Sequence, residues 1–117
     1  MPHFIIDCSK NILEQEGERE ILKVIYDIAD ATGLFIRNDI KVRLNYYEQF
    51  IAGDSGADFI HVFGYIMEGR TTEQKANLSR EMVTKLTAMF PDVKFIAMNV
   101  AEFEKATYCN REMVEKK

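Results

Sequence analysis

The sequence predicts an α+β fold: one four-stranded mixed sheet with two helices on a single face. Three observations predict it. The chain opens on a short apolar strand-like segment, it alternates strictly between residues 40 and 47, and after residue 58 it repeats the same strand–helix–strand order. At 117 residues the chain is short of the length at which a second domain is usual, so it reads as one domain over 1–117. Pseudo-repeats run over about 2–50 and 58–102, and a tail follows over 103–117.

The first strand is Pro2-His3-Phe4-Ile5-Ile6-Asp7-Cys8, bounded by the polar Ser9-Lys10-Asn11. From Glu18 the period changes. Ile21, Val24, Ile25, Ile28 and Thr32 fall on one helical face, with Glu20, Lys23, Asp27 and Asp30 elsewhere. Gly33 stands where a left-handed residue closes a helix. Along Ile40-Lys41-Val42-Arg43-Leu44-Asn45-Tyr46-Tyr47, apolar side chains point one way and Lys41, Arg43, Asn45 and Tyr47 the other. Ala52-Gly53-Asp54-Ser55-Gly56 reads as a turn, too short for a domain linker.

In the second half, Phe59 to Met67 is a strand rich in β-branched and aromatic residues. Thr71-Thr72-Glu73-Gln74 has the pattern of a capping box, with Thr71 as N-cap. Behind it Leu78, Met82, Leu86, Met89 and Phe90 form an apolar stripe closed by Pro91, and Val93 to Val100 is a fourth strand. Crossover connections between parallel strands are right-handed, which places both helices on one face. The other face then lacks cover. Arg43, Tyr47, Phe63 and Met98 are expected on it, and aromatic and sulfur side chains there argue for self-association. Glu102 to Lys117 is charged and weakly patterned: a short strand plus a tail reaching a neighbour, or a frayed end.

Composition narrows the function. A net charge of −4 argues against nucleic acid or an acidic membrane as main partner but leaves room for a local cationic pocket. The start of the chain has no signal-peptide pattern, and no run approaches the roughly 18 apolar residues of a membrane span, so the expected compartment is the cytoplasm. Cys8 and Cys109 have neither metal-type nor CxxC spacing and read as free thiols, Cys8 buried and inert. Gly64 and Gly69 form no phosphate loop. Asp7 and Asp58 lack a spaced carboxylate or histidine partner. His61 reads as a satisfied core histidine, and alternation turns His3 away from the pocket of Pro2.

Pro2 is the residue with chemical potential. As the first residue of a chain it carries a secondary amine. A free α-amine has a reference pKa of about 7.7–8.0, and burial lowers it by penalising the charged form. Neutral near pH 7, such an amine is a general base or a nucleophile. Inside a peptide bond, behind Met1, it is neither.

A strand from Pro2, two tandem β-α-β units and a bare sheet face resemble the tautomerase superfamily (tautomerase/MIF-like). Within it the chain is most similar to the 5-carboxymethyl-2-hydroxymuconate isomerase family. The residues carrying the resemblance are Pro2-His3-Phe4-Ile5 with Cys8-Ser9, Ala31-Thr32-Gly33-Leu34-Phe35, Ile40-Lys41-Val42-Arg43, and Gly69-Arg70. They span Pro2 to about Val100. The resemblance implies a homotrimer with Pro2 as general base at each site. It implies a 1,3-allylic proton shift on an unsaturated 2-hydroxy or 2-oxo di- or tricarboxylate from aromatic catabolism, with no metal and no organic cofactor.

The substrate-binding cations would be Lys41, Arg43 and Arg70. Arginine suits a planar carboxylate because its guanidinium is a bidentate fork. At Lys41, where the family more often has arginine, the charge is kept and the fork is lost. The competing readings are a non-catalytic trimeric ligand- or partner-binding module of the same fold, and a monomeric ferredoxin-like domain of unrelated use.

Overall fold

The first strand lies inside the sheet, not at its edge. In the computed structural model, which describes residues 1–116, β1 (His3–Ser9) pairs in parallel with β2 (Lys41–Tyr47) and antiparallel with β3 (Phe59–Met67). β3 pairs in parallel with β4 (Phe95–Phe103), so the mixed sheet runs β2-β1-β3-β4. Between the strands come α1 (Ile12–Gln15), α2 (Glu18–Ala31), a 3-10 turn at Arg37–Asp39 and α3 (Thr72–Met89). The short α4 (Arg111–Glu115) follows β4.

Period decides which side chains are buried. Phe4, Ile6 and Cys8 of β1 and Ile60, Val62 and Ile66 of β3 turn to one face. There they meet Ile21, Ile25 and Ala29 of α2 and Leu78, Met82 and Leu86 of α3 in a single core. Both long helices therefore share one face of the sheet, as the doubled pattern predicts. Gly33 has φ +72° just past α2, a conformation that favours glycine. At the start of α3 the capping box is complete: Gln74 N donates to Thr71 Oγ1 at 3.0 Å, and Thr71 N donates to Gln74 Oε1 at 2.9 Å.

Gly64 answers a packing need. A Cβ there would stand 3.0 Å from Met98 Cε and 3.3 Å from Phe4 Cε1, so its absence lets β3 sit close under both side chains.

Several expectations need correction. Met98 is opposite Val62 in the ladder and packs against the core with Ile96 and Val100, so it belongs to the helix face. Arg43, Tyr47 and Phe63 do lie on the open face, in register with Ile5 and Ser9. His61 lies on that open face too, one residue out of phase with buried Ile60 and Val62. It is a satisfied histidine, its Nε2 2.7 Å from Asn99 Oδ1, but not a core one.

The helical turn α1, which the sequence pattern does not announce, follows the polar Ser9-Lys10-Asn11 and buries Ile12 completely. Beside it Ser9, also fully buried, donates to Asp58 Oδ1 at 2.8 Å and accepts from Phe59 N at 3.2 Å. β4 starts two residues later than the pattern suggests and continues to Phe103. The expected tail contains α4, whose N-cap Asn110 accepts from Met113 N at 3.0 Å. Lys117, the last residue of that tail, lies outside the described residues. Among the described residues, no helix is long and apolar enough to cross a membrane.

Candidate active site

Strand directions bring the chain start, the head of β2 and the far ends of β3 and β4 to one end of the sheet. Pro2 is buried there, and its carbonyl accepts from Lys41 N at 3.1 Å, the first rung of the β1–β2 ladder. The α-amine, here on Met1, is held below its ordinary value. Burial is the main cause, and Lys41 and Arg70 push the same way against an opposing pull from Asp39. Lys41 and Arg70 thus both act on the chain start.

The Lys41 ammonium donates to Asp39 O at 2.8 Å and lies 3.1 Å from Met1 Sδ. Arg70 follows Gly69, whose φ of +119° marks the turn from β3 into α3. Its guanidinium donates to Leu34 O and sits 5.4 Å from the centre of the Phe35 ring, a cation–π contact. Phe35 in turn meets core Phe4 edge-on at 5.9 Å. The segment Leu34-Phe35 after α2 thereby fixes the Arg70 head.

Arg43 lies further along the open face. Its Nη1 is 3.0 Å from His3 Nδ1, and the His3 ring meets Phe103 edge-on at 6.0 Å. His3 and Pro2 do turn to opposite faces, as alternation requires, yet His3 joins the cationic group. Its pKa is lowered by burial first, then by Arg43, Lys41 and the chain amine. Phe103 also lies against Tyr65 at 6.2 Å and Tyr108 at 5.9 Å, so aromatic rings flank the open-face side.

Of the four residues singled out from sequence, Pro2, Lys41 and Arg70 come together at the sheet end, and Arg43 stands beside them through His3. Asp39, Phe35 and Phe103 are not among the residues the sequence singles out for the site, and His3 is the one it turns away from Pro2. For His3 the signal was available: alternation places it on the same face as Lys41 and Arg43 once β1 and β2 are paired in parallel. The other three depend on tertiary contacts. An apolar depression lined by Phe50, Ile51, Phe59 and Phe95 lies at the opposite end of the sheet, away from these charges.

Comparison with known proteins identifies the fold and the family. The family described as 5-carboxymethyl-2-hydroxymuconate isomerase matches residues 2–116. A 5-carboxymethyl-2-hydroxymuconate Delta-isomerase of Escherichia coli is 30% identical over 77 residues, which is 64% of this chain and 61% of that protein. The chain thus matches a little over three fifths of that curated relative's length. Among solved structures, a 5-carboxymethyl-2-hydroxymuconate isomerase from Deinococcus radiodurans R1 is similar at TM-score 0.82 and 20% identity, covering 94% of this chain and 88% of that one. A fused 4-OT wild-type symmetric trimer is similar at TM-score 0.75 and 18% identity, covering 97% and 99%. At such identities these two establish the shared fold. The match to the family over nearly the whole chain shows that this protein belongs to the 5-carboxymethyl-2-hydroxymuconate isomerase family.

Proposed function

We propose that the protein is a cofactor-independent isomerase that moves a proton across an allylic system in an unsaturated 2-hydroxy or 2-oxo polycarboxylate. 5-Carboxymethyl-2-hydroxymuconate, the compound in the family's description, is the first substrate to test. The observation that carries the reading is the placement of the chain start: Pro2 is buried at the sheet end, hydrogen-bonded to the backbone of Lys41, and the amine ahead of it on Met1 is held below its ordinary value, chiefly by burial.

With Met1 removed, the Pro2 nitrogen becomes a secondary amine in a setting that favours its neutral form. It takes the proton from the dienol oxygen and, as the ammonium, returns it to the distant carbon. The negative charge passing through the dienolate is spread onto the substrate's own carbonyl and stabilised by Lys41 and Arg70. Arg43, beside them, offers its fork to a substrate carboxylate.

The protein acts as a homotrimer in this reading. Open-face Tyr47 and Phe95 remain 40% and 45% exposed in the isolated chain, with Phe63 and Tyr65 beside them on β3, and a second copy would cover such a face. A non-catalytic module is favoured only if Met1 is retained, because the Pro2 nitrogen is then an amide.

The test is an ultraviolet assay of 2-hydroxymuconate-type compounds on protein whose intact mass lacks Met1. Pro2→Ala should cut turnover by roughly 10²-fold or more. Normal turnover in that variant rules out proline catalysis.

A further inference from the structure

We propose that His3 is the positioning residue for Arg43, holding its guanidinium where a substrate carboxylate is received. This rests on the isomerase reading above, but its contacts can be tested separately.

Arg43 is an exposed arginine on a strand face, and a side chain of that length has many rotamers to lose on ordering. One contact narrows them: Nη1 lies 3.0 Å from His3 Nδ1. A guanidinium has donors only, so it must donate and Nδ1 must accept. That fixes the chemistry of His3, which is neutral with its proton on Nε2. Only one of the five N–H groups of Arg43 is used, leaving others for a carboxylate.

The imidazole is itself held in place. Phe103 meets it at 90° and 6.0 Å, and Phe103 is packed against Tyr65 and Tyr108. Diagonal register completes the arrangement, since His3 stands opposite Lys41 and Arg43 stands opposite Ile5. The charged and titratable groups facing His3 are Arg43 and Lys41 from β2, Tyr65 opposite it on β3, and the chain amine. Burial, Arg43 and Lys41 disfavour a protonated ring, which keeps the acceptor available near neutral pH.

The experiment has two arms. In the first, imidazole nitrogen NMR of the wild-type protein at pH 7 should show His3 as the Nε2–H tautomer with a pKa below 6.5, rising towards 6.5 in Arg43→Gln. Protonated Nδ1 at pH 7, or a pKa unmoved by Arg43→Gln, overturns the proposal, whether or not the protein is an isomerase.

In the second arm, His3→Leu should raise KM roughly tenfold or more with kcat little changed, the worth of one hydrogen bond to a charged group. His3→Asn, whose side-chain oxygen still accepts, should restore most of that loss, and His3→Leu should add nothing in an Arg43→Gln background. An unchanged KM in His3→Leu, or equal losses in Leu and Asn, overturns it. Pro2→Ala in the same assay reports separately on the isomerase reading.

Discussion

The Lys41 ammonium stands 3.1 Å from the sulfur of Met1, just ahead of the buried Pro2. The initiator side chain therefore occupies the front of one of the cations nearest the chain start. Removing Met1 does two things at once: it creates the basic nitrogen and clears Lys41 for an anion. Protein in which Met1 is retained should lose turnover by roughly 10²-fold or more and should bind a tricarboxylate more weakly. Intact-mass measurement paired with turnover checks this, and full activity at a mass that includes Met1 defeats it.

Lys41 and Arg70 should respond differently to neutralisation. Lys41→Gln removes a charge whose contacts are Asp39 O and Met1, so the expected effect is confined to kcat/KM, a loss of roughly 10-fold or more. Arg70→Gln also gives up the bond to Leu34 O and the Phe35 contact, so Tm should fall along with activity. Kinetics and thermal melts on the two variants separate the roles; equal Tm values would show that Arg70 does no structural work.

Gly64→Ala should be costly for a surface-to-core sheet with helices on one side only. The new methyl would press on Met98 Cε and Phe4 Cε1 at 3.0 and 3.3 Å, and overpacking of this kind costs about 1–3 kcal/mol. Met98 is flexible enough to give way in part, so Gly64→Val should be clearly worse than Gly64→Ala. Urea titration of the two variants measures both.

The two thiols should differ sharply. Burial, with Asp7 and Glu18 nearby, pushes Cys8 up to about 12, whereas Cys109 is exposed. A thiol reagent at pH 8 should therefore label Cys109 alone, and Cys8 only after denaturation. The raised pKa belongs to the folded state, so Cys8 favours folding fully below its unfolded value near 9, and that contribution is lost as pH rises towards 12. Denaturation midpoints measured between pH 8 and 11 should fall accordingly.

Local signals made most of the fold legible. The helical period from Glu18, the glycine at 33 and the Thr71–Gln74 box each act within a few residues, and each appears where the sequence places it. Phase along strands was harder. In β3 and β4 both alternating sets are largely apolar, so nothing local says which set meets the helices. Met98 and His61 were assigned to the wrong faces for that reason. The turn α1 is only four residues long, with Ile12 as its buried residue, too little for a period to show. Pro2, Lys41 and Arg70 could be named singly, but their meeting depends on β1 pairing in parallel with β2 and antiparallel with β3, a non-local choice.

The interior position of β1 has a dynamic consequence. Chain ends ordinarily fray, opening many times before the rest of a protein unfolds. Here the residues after Pro2 are hydrogen-bonded to neighbouring strands on both sides, so they cannot peel away without splitting the sheet. In hydrogen exchange, the amides from Phe4 to Cys8 should persist as long as the slowest in the molecule. A strand end that exchanges like a core would hold whatever group it carries as steadily as a side chain fixed in the interior.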